Sequence, residues 1–403
     1  MPRQPLSRRH LVKTAGAAAS AATLGGCGSL DRGTAVPLAQ TYRASVLGLP
    51  NERFFVFSET ASLEAEMNAA LERRTRRLGL GSPDDLPQLN LLAVSGGGEN
   101  GAFGAGVLCG WTAKGNRPTF DWVTGVSTGA MTAPFAFLGP AYDPQLKAVY
   151  TDLAPRDVLV MRALTAALFS DAMADNAPLF RTISRYLDER MLTDIARAYD
   201  EGRLLLIGTT NLDAQVPVIW NIGAIAKSGD PRALEIIRRI LLASAAIPGA
   251  FPPTMIPSTV DGHPHQEMHV DGGAFAQTFL YPATLTADRR RRLAAGRRVL
   301  EVDAYVIRNG RLDPEWASTE RQTLSIAGRA IATMISASGL NDVMRIYNTT
   351  QRDQVDFNLA FIGRDFDKTP PVPFDTAYMR ALYDYGYAKA LAGTAWVKNP
   401  PMP

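Results

Sequence analysis

The sequence predicts a mostly parallel α/β sheet with helices on both faces. Apart from Asn90, the segment Leu89–Val94 is an apolar run, as in a strand buried on both sides. Further strand-like runs alternate with helical stretches, the pattern of repeated βα units. Two of the strand-to-helix junctions, after residues 94 and 126, are rich in glycine. Taken in order, a strand is expected over residues 52–57. A helix capped by Ser58 or Thr60 then runs to about Leu78, with Leu63, Met67, Ala70 and Leu71 at helical spacing. Residues 79–87 form a turn-rich linker before the strand 89–94 and a helix to about residue 113. Strand 121–126 and a second helix follow, then strands 203–209 and 216–220. Helix 231–246, strand 299–307, helix 315–336, strand 355–362 and helix 377–392 complete the order. No internal repeat is present.

The chain has 403 residues, 46% hydrophobic and 20% charged, which supports a substantial core and excludes global disorder. No uncharged apolar run reaches the length of a transmembrane helix. Residues 1–26 carry Arg3, Arg8, Arg9 and Lys13 and no acid; the remainder holds 38 basic and 39 acidic residues. That balance gives no footprint for nucleic acid. Ser7 to Lys13 resembles a twin-arginine export signal, and Leu24-Gly25-Gly26-Cys27 resembles a bacterial lipobox. The expected organisation is a signal peptide over 1–26, an N-terminal extension over 27–88, a catalytic domain over 89–310 and its completion over 311–403. By the same resemblance, Cys27 becomes an acylated N-terminus that holds the exported protein on a membrane surface facing the periplasm. Gly28 in place of Asp favours the outer membrane. Cys109 lies in an apolar helical stretch and reads as a core residue.

The loop Ser95-Gly96-Gly97-Gly98-Glu99-Asn100-Gly101 follows a strand and opens a helix. Glycines let backbone approach a ligand closely, and free N–H groups at a helix start favour negative charge. The spacing fits G-x-G-x-x-G, but Asp121 stands at the start of the next strand, where a dinucleotide site wants an acid at its end. No Gly-Lys-Ser/Thr follows, so a P-loop is excluded. The other reading is an oxyanion hole built from Gly96, Gly97, Gly98 and Gly101. Gly125-Val126-Ser127-Thr128-Gly129 has the form of a nucleophile elbow at a strand-to-helix turn, with Ser127 as nucleophile. Gly125 and Gly129 allow the strand and helix to approach.

For the base, a Ser–acid–His order is awkward. Beyond the signal, His occurs only at 263, 265 and 269, in one expected loop, and the acid would have to precede them, near Asp213. Asp271-Gly272-Gly273 is the better candidate, since a rigidly held carboxylate needs only hydrogen-bond reach of the hydroxyl. The cluster His263, His265, Glu267 and His269 is a second, metal-binding possibility without template spacing.

Ser-Gly-Gly-Gly-x-x-Gly-Ala-Phe, Gly-x-Ser-x-Gly and Asp-Gly-Gly, in that order, resemble the patatin-like phospholipase family. Residues 207–213 and 243–253 resemble its middle segments, and the likeness runs from about residue 90 to 310. It implies a three-layer α/β/α fold and lipid acyl hydrolysis by a Ser127–Asp271 dyad, with the 96–101 loop as oxyanion hole, a lipid or phospholipid as substrate, and neither metal nor organic cofactor. Many members carry Arg or Lys where this chain has Asn100. Two other classes remain beside a serine hydrolase: a lipid-binding protein of the same fold that is silent or transfers acyl groups, and a nucleotide-binding oxidoreductase.

Overall fold

The computed structural model describes residues 32–55, 60–162, 170–282 and 286–401. The signal peptide, the lipobox and Cys27 lie outside the described residues, as does part of the apolar stretch 158–169.

The strands are β1 (Arg53–Phe54), β2 (Leu89–Val94), β3 (Trp122–Val126), β4 (Val160–Met161), β5 (Ala174–Asp175), β6 (Leu204–Asn211), β7 (Val216–Asn221), β8 (Thr254–Val260), β9 (His263–Asp271), β10 (Val302–Arg308) and β11 (Asp356–Phe361). The helices are α1 (Thr60–Arg77), α2 (Gly101–Lys114), α3 (Thr128–Leu138), α4 (Asp143–Thr151), α5 (Ala177–Tyr186), α6 (Glu189–Asp200), α7 (Ile222–Lys227), α8 (Ala233–Ser244), α9 (Ala287–Ala294), α10 (Thr323–Asp353) and α11 (Thr376–Ala392). The main sheet runs β1-β7-β6-β3-β2-β10-β11, with β9 joining β6, and β8 joining β9. The pairs β6–β3, β3–β2, β2–β10 and β10–β11 are parallel; β7, β1, β8 and β9 pair antiparallel. β4 and β5 form a separate small ribbon.

The predicted class therefore holds: a mixed, mostly parallel sheet between helices. Alternate residues of β2 feed opposite cores, Leu92 and Val94 one side and Leu89, Leu91 and Ala93 the other. On the first side α2 lies against α11, where Gly106, Gly110 and Gly386 let the two helix backbones approach. On the second, Leu63, Met67 and Ala70 of α1 are buried at their expected helical spacing. Cys109 is a buried free thiol, and burial pushes it up to about 11.

Two expectations need correction. The segment holding His263, His265 and His269 is not a loop but the long strand β9, hairpinned with β8. The helix expected over 315–336 instead spans Thr323–Asp353. The N-terminal extension clasps this hairpin: Ala35 bridges to Gln266, Ser45 to Thr259, and Arg32 donates to both carboxylate oxygens of Asp213 at 2.8 and 2.7 Å.

Candidate active site

Two strand ends meet across β6. The parallel partner β3 stops with Val126 opposite Gly208. On the same edge β9 arrives from the other direction and stops with Asp271 opposite Thr209. Residues 127 and 271, 144 positions apart, are thereby brought face to face. Ser127 turns sharply from β3 into α3 with φ +56° and ψ −126°, one of the few non-glycine residues at positive φ. Such a conformation stores about 1–3 kcal/mol and persists where its surroundings over-determine it. Here they do. Gly125 meets the backbone of Gly129, where a Cβ would lie 2.5 Å from a carbonyl oxygen. The Ser127 N–H donates to the Ser244 hydroxyl at 3.0 Å, which donates onward to the Gly208 carbonyl at 2.7 Å. Ser244 was not singled out by sequence, and its only signal is a hydroxyl within the small-residue run 243–246.

Asp271 is held as firmly. Its N–H donates to the Ala246 carbonyl at 2.9 Å, and Thr210 donates to its carbonyl at 3.1 Å. Its carboxylate accepts the Gly273 N–H at 2.6 Å, and the Ser127 hydroxyl faces it closely enough to favour the ionised form. Gly272 passes so close to β6 that a Cβ would lie 2.5 Å from the Gly208 oxygen. Burial pushes the Asp271 carboxyl up to about 7, against the opposing pull of these two groups. A carboxyl poised near neutrality can both take and return a proton.

The glycine loop divides its labour. The Gly96 N–H is taken by the Gln277 carbonyl at 2.9 Å, and the Gly101 N–H closes a turn onto Gly98 and Glu99. Neither is free as an oxyanion donor, which corrects the four-glycine expectation. Gly97 (φ +153°) and Gly98 (φ +58°) adopt backbone that side chains disfavour, and among the described residues their N–H groups have no partner. Gly96 itself is needed for space: a Cβ there would lie 3.1 Å from Ser127 Cβ and 2.8 Å from Gln277 Oε1. Beneath the loop, the Gly96 carbonyl accepts from the Ser95 hydroxyl at 2.7 Å and from Arg308 at 3.3 Å. Because carbonyl and N–H of a trans peptide point oppositely, this fixes the Gly97 N–H away from Arg308 and Ser95. Arg308 is buried at the end of β10, with no carboxylate in ion-pair distance among the described residues, and burial lowers its pKa against the pull of Asp342 and Glu315. A cation thus does stand at the loop, from β10, while Asn100 accepts the Tyr378 hydroxyl at 2.7 Å.

Residues 92–284 match the family model described as "Patatin-like phospholipase", just the span that carries the loop, the elbow and the Asp-Gly-Gly turn. This segment is a patatin-like phospholipase domain. Among solved structures, the crystal structure of VipD from Legionella pneumophila is similar at a TM-score of 0.35 and 11% identity, covering 77% of this chain and 67% of that one, too slight a likeness to bear on function. No curated protein is a significant match. Patatin-like phospholipases act on lipid esters.

The histidines of the patatin-like domain are engaged elsewhere. His263 is exposed at the hairpin end, and His265 Nδ1 faces the Ala35 carbonyl at 3.2 Å. His269 is fully buried. The Trp220 indole N–H donates to Thr209 Oγ1 at 2.8 Å, and because the ionised Glu267 can only accept, the Nδ1 of a neutral His269 accepts the Thr209 hydroxyl proton at 2.9 Å. His269 Nε2 then carries the ring proton and donates to Glu267 at 3.1 Å. Burial holds His269 below its ordinary range, consistent with a neutral ring. Burial alone would raise Glu267, but hydrogen bonds and charge from His269 and Arg53 bring it down to about 2. Arg53 grips Glu267 at 2.5 and 3.1 Å and lies over the Trp220 ring. Glu267 and His269 thus serve this ion pair, and no metal-holding cluster occurs among the described residues. Glu267→Ala strands a buried guanidinium and is expected to cost about 3–5 kcal/mol; a melting curve checks this, and an unchanged midpoint contradicts it.

Next to Ser127, a narrow apolar cavity of about 80 Å³ opens between α3, α5 and α6. Gly98 and Thr128 stand at its Ser127 end; Met131, Phe135, Ile183 and Leu187 line its depth. Its apolar lining suits an alkyl chain rather than a polar ligand.

Proposed function

We propose that the protein is a lipid acyl hydrolase working through an acyl-enzyme on Ser127. The observation that carries this reading is a serine hydroxyl facing a buried carboxyl beside an apolar cavity. Asp271 takes the proton as Ser127 Oγ attacks the ester carbonyl carbon. The N–H groups of Gly97 and Gly98 receive the charge on the carbonyl oxygen. Asp271 returns the proton to the departing alkoxide, and the acyl chain stays in the cavity. A water deprotonated by Asp271 then attacks the acyl-enzyme; the Ser127 Oγ–acyl bond breaks, Asp271 returns its proton to Ser127 Oγ, and the fatty acid leaves. The proposal includes export, removal of residues 1–26 and acylation of Cys27, which puts the site at a membrane surface on the periplasmic side. The mass of the mature N-terminus decides that part: an unmodified Cys27 overturns it. For the activity, the test is incubation with a panel of phospholipid and neutral-lipid esters, with free fatty acid measured. Release from at least one class is expected; no release from any, together with no labelling by a fluorophosphonate, sinks the reading.

A further inference from the structure

Helix α10 is two helices in character. From Gly339 onward it is part of the body. Gly339 lies against the Arg308 guanidinium, Asp342 accepts the Gln277 N–H at 2.7 Å, and Val343 and Ile346 are buried. Before Gly339, none of the described side chains from Thr323 to Ser338 is buried. These residues are nevertheless mostly apolar or small, TLSIAGRAIATMISAS. Ile326, Ile331 and Met334 are 51%, 42% and 63% exposed. On a helix of about 3.6 residues per turn they and Ile335 fall within one half of the circumference, while Ser325, Arg329, Thr333 and Ser336 share the other half. The apolar half of a soluble helix of that kind is normally buried. Its one threonine hydroxyl in the middle, Thr333, is turned back onto the Arg329 carbonyl at 2.8 Å, which hides the polar group.

The direction of this stretch follows from the topology. Gly339 meets Arg308 at the carboxyl end of β10, and α10 then runs back along the sheet to enter β11, which is parallel to β10. Residues 323–338 therefore extend beyond the carboxyl edge of the sheet, the edge that bears Ser127. At 1.5 Å per residue the projection is about 24 Å. Arg308, at its foot, also donates to the Gly96 carbonyl of the glycine loop. Arg329 donates to the Glu315 carbonyl and so brings Trp316, 90% exposed, alongside.

We infer that residues 323–338, with Trp316 beside them, dock into the surface of an anionic lipid layer and set the mouth of the active site against it. Charge selects that occupant. Between Glu320 and Asp342 there is no acid, and the charges present are Arg321 and Arg329. An apolar helix with basic residues only is suited to an interface carrying anionic head groups. An exposed tryptophan belongs at the same level. No helix among the described residues is long and apolar enough to cross a membrane, so the stretch lies in the surface rather than spanning. The purpose of this docking rests on the proposed lipid hydrolysis, but the binding itself does not.

The experiment uses the full chain with Cys27→Ser, so that no attached acyl group holds it to lipid. Sedimentation with vesicles of equal parts phosphatidylglycerol and phosphatidylcholine is compared before and after Ile326→Gln, Ile331→Gln and Met334→Gln together. Glutamine adds no charge and is a good helix former. The triple substitution is expected to lower vesicle partition by about tenfold or more, because three apolar side chains no longer enter the lipid. The melting temperature and the hydrolysis of a soluble, monomeric butyrate ester are expected to stay as they were. Partition that is absent from the start, or unaffected by the substitutions, overturns the inference. So does a loss of dimer on sedimentation velocity with partition unchanged, which would make the helix a contact between two copies of the chain. If neither protein cleaves the soluble ester, the proposed activity fails while the vesicle result still decides the docking.

Discussion

Ser127→Ala is expected to lower ester hydrolysis by about 10³ or more and to abolish fluorophosphonate labelling, while the fold survives. The strained backbone at φ +56° is over-determined by contacts the hydroxyl does not make: the Gly125–Gly129 approach and the 3.0 Å bond from the Ser127 N–H to Ser244. Alanine suffers the same φ as serine and fits the same space. What changes is the carboxyl behind it. The Ser127 hydroxyl is one of the groups that restrain the Asp271 pKa, so its removal lets burial push that carboxyl further up. The variant should therefore lose a little stability above neutral pH, where Asp271 is ionised, and none in acid. Circular dichroism and melting at two pH values check the fold; turnover near that of the unaltered protein in a purified sample refutes the assignment.

The parts of this molecule that were legible in the sequence are those whose cause is local. β2 is buried on both faces and, Asn90 apart, reads as an apolar run with the observed bounds. The elbow and the glycine loop are legible because a tight turn demands small residues at fixed offsets. β9 was not legible. It alternates burial irregularly, carries Pro264 and three histidines, and its buried Glu267 and His269 are satisfied by Arg53 and Thr209 from distant strands. Polar residues that are buried because remote partners meet them look, one by one, like a solvated loop. The extent of α10 was hidden for a similar reason. Gly339, Asn341 and Asp342 read as a helix end, yet the first makes room for Arg308 and the last caps the Gln277 and Thr278 N–H groups. In the site, the spent N–H of Gly96 and the part played by Ser244 depend on Gln277 and Gly208, partners no local pattern announces. Arg308 did leave a trace: an arginine closing an apolar strand, Val306-Ile307-Arg308, is placed where burial is expected.

Asp271→Asn is the sharper test, because it separates a two-residue mechanism from one that recruits histidine. The amide can still accept the Gly273 N–H and can donate to Ser127 Oγ, so geometry is kept while the proton acceptor is lost. Turnover should fall by about 10³ or more. In the unaltered protein, kcat/KM should rise with pH through about 7 and level off above it, since the base acts when ionised and burial has pushed it up to about 7. The same raised pKa has a stability consequence with a definite sign. Below the carboxylate range both folded and unfolded chains hold the proton, and nothing is lost. As pH rises toward 7 the unfolded chain ionises first, and stability declines by on the order of 4 kcal/mol before it becomes flat. Asp271→Asn should remove that slope, leaving a protein more stable at pH 8 than the original and inactive. Changing His263 and His265 to Gln should leave turnover within about tenfold, as neither touches the dyad. His269→Gln should lower the melting temperature, because it breaks the Thr209–His269–Glu267 chain, yet the folded fraction should still turn over substrate. If instead the His269 variant is inactive while well folded, and Asp271→Asn still hydrolyses esters along an unchanged pH profile, then the carboxyl is not the base and the proton leaves Ser127 by way of imidazole.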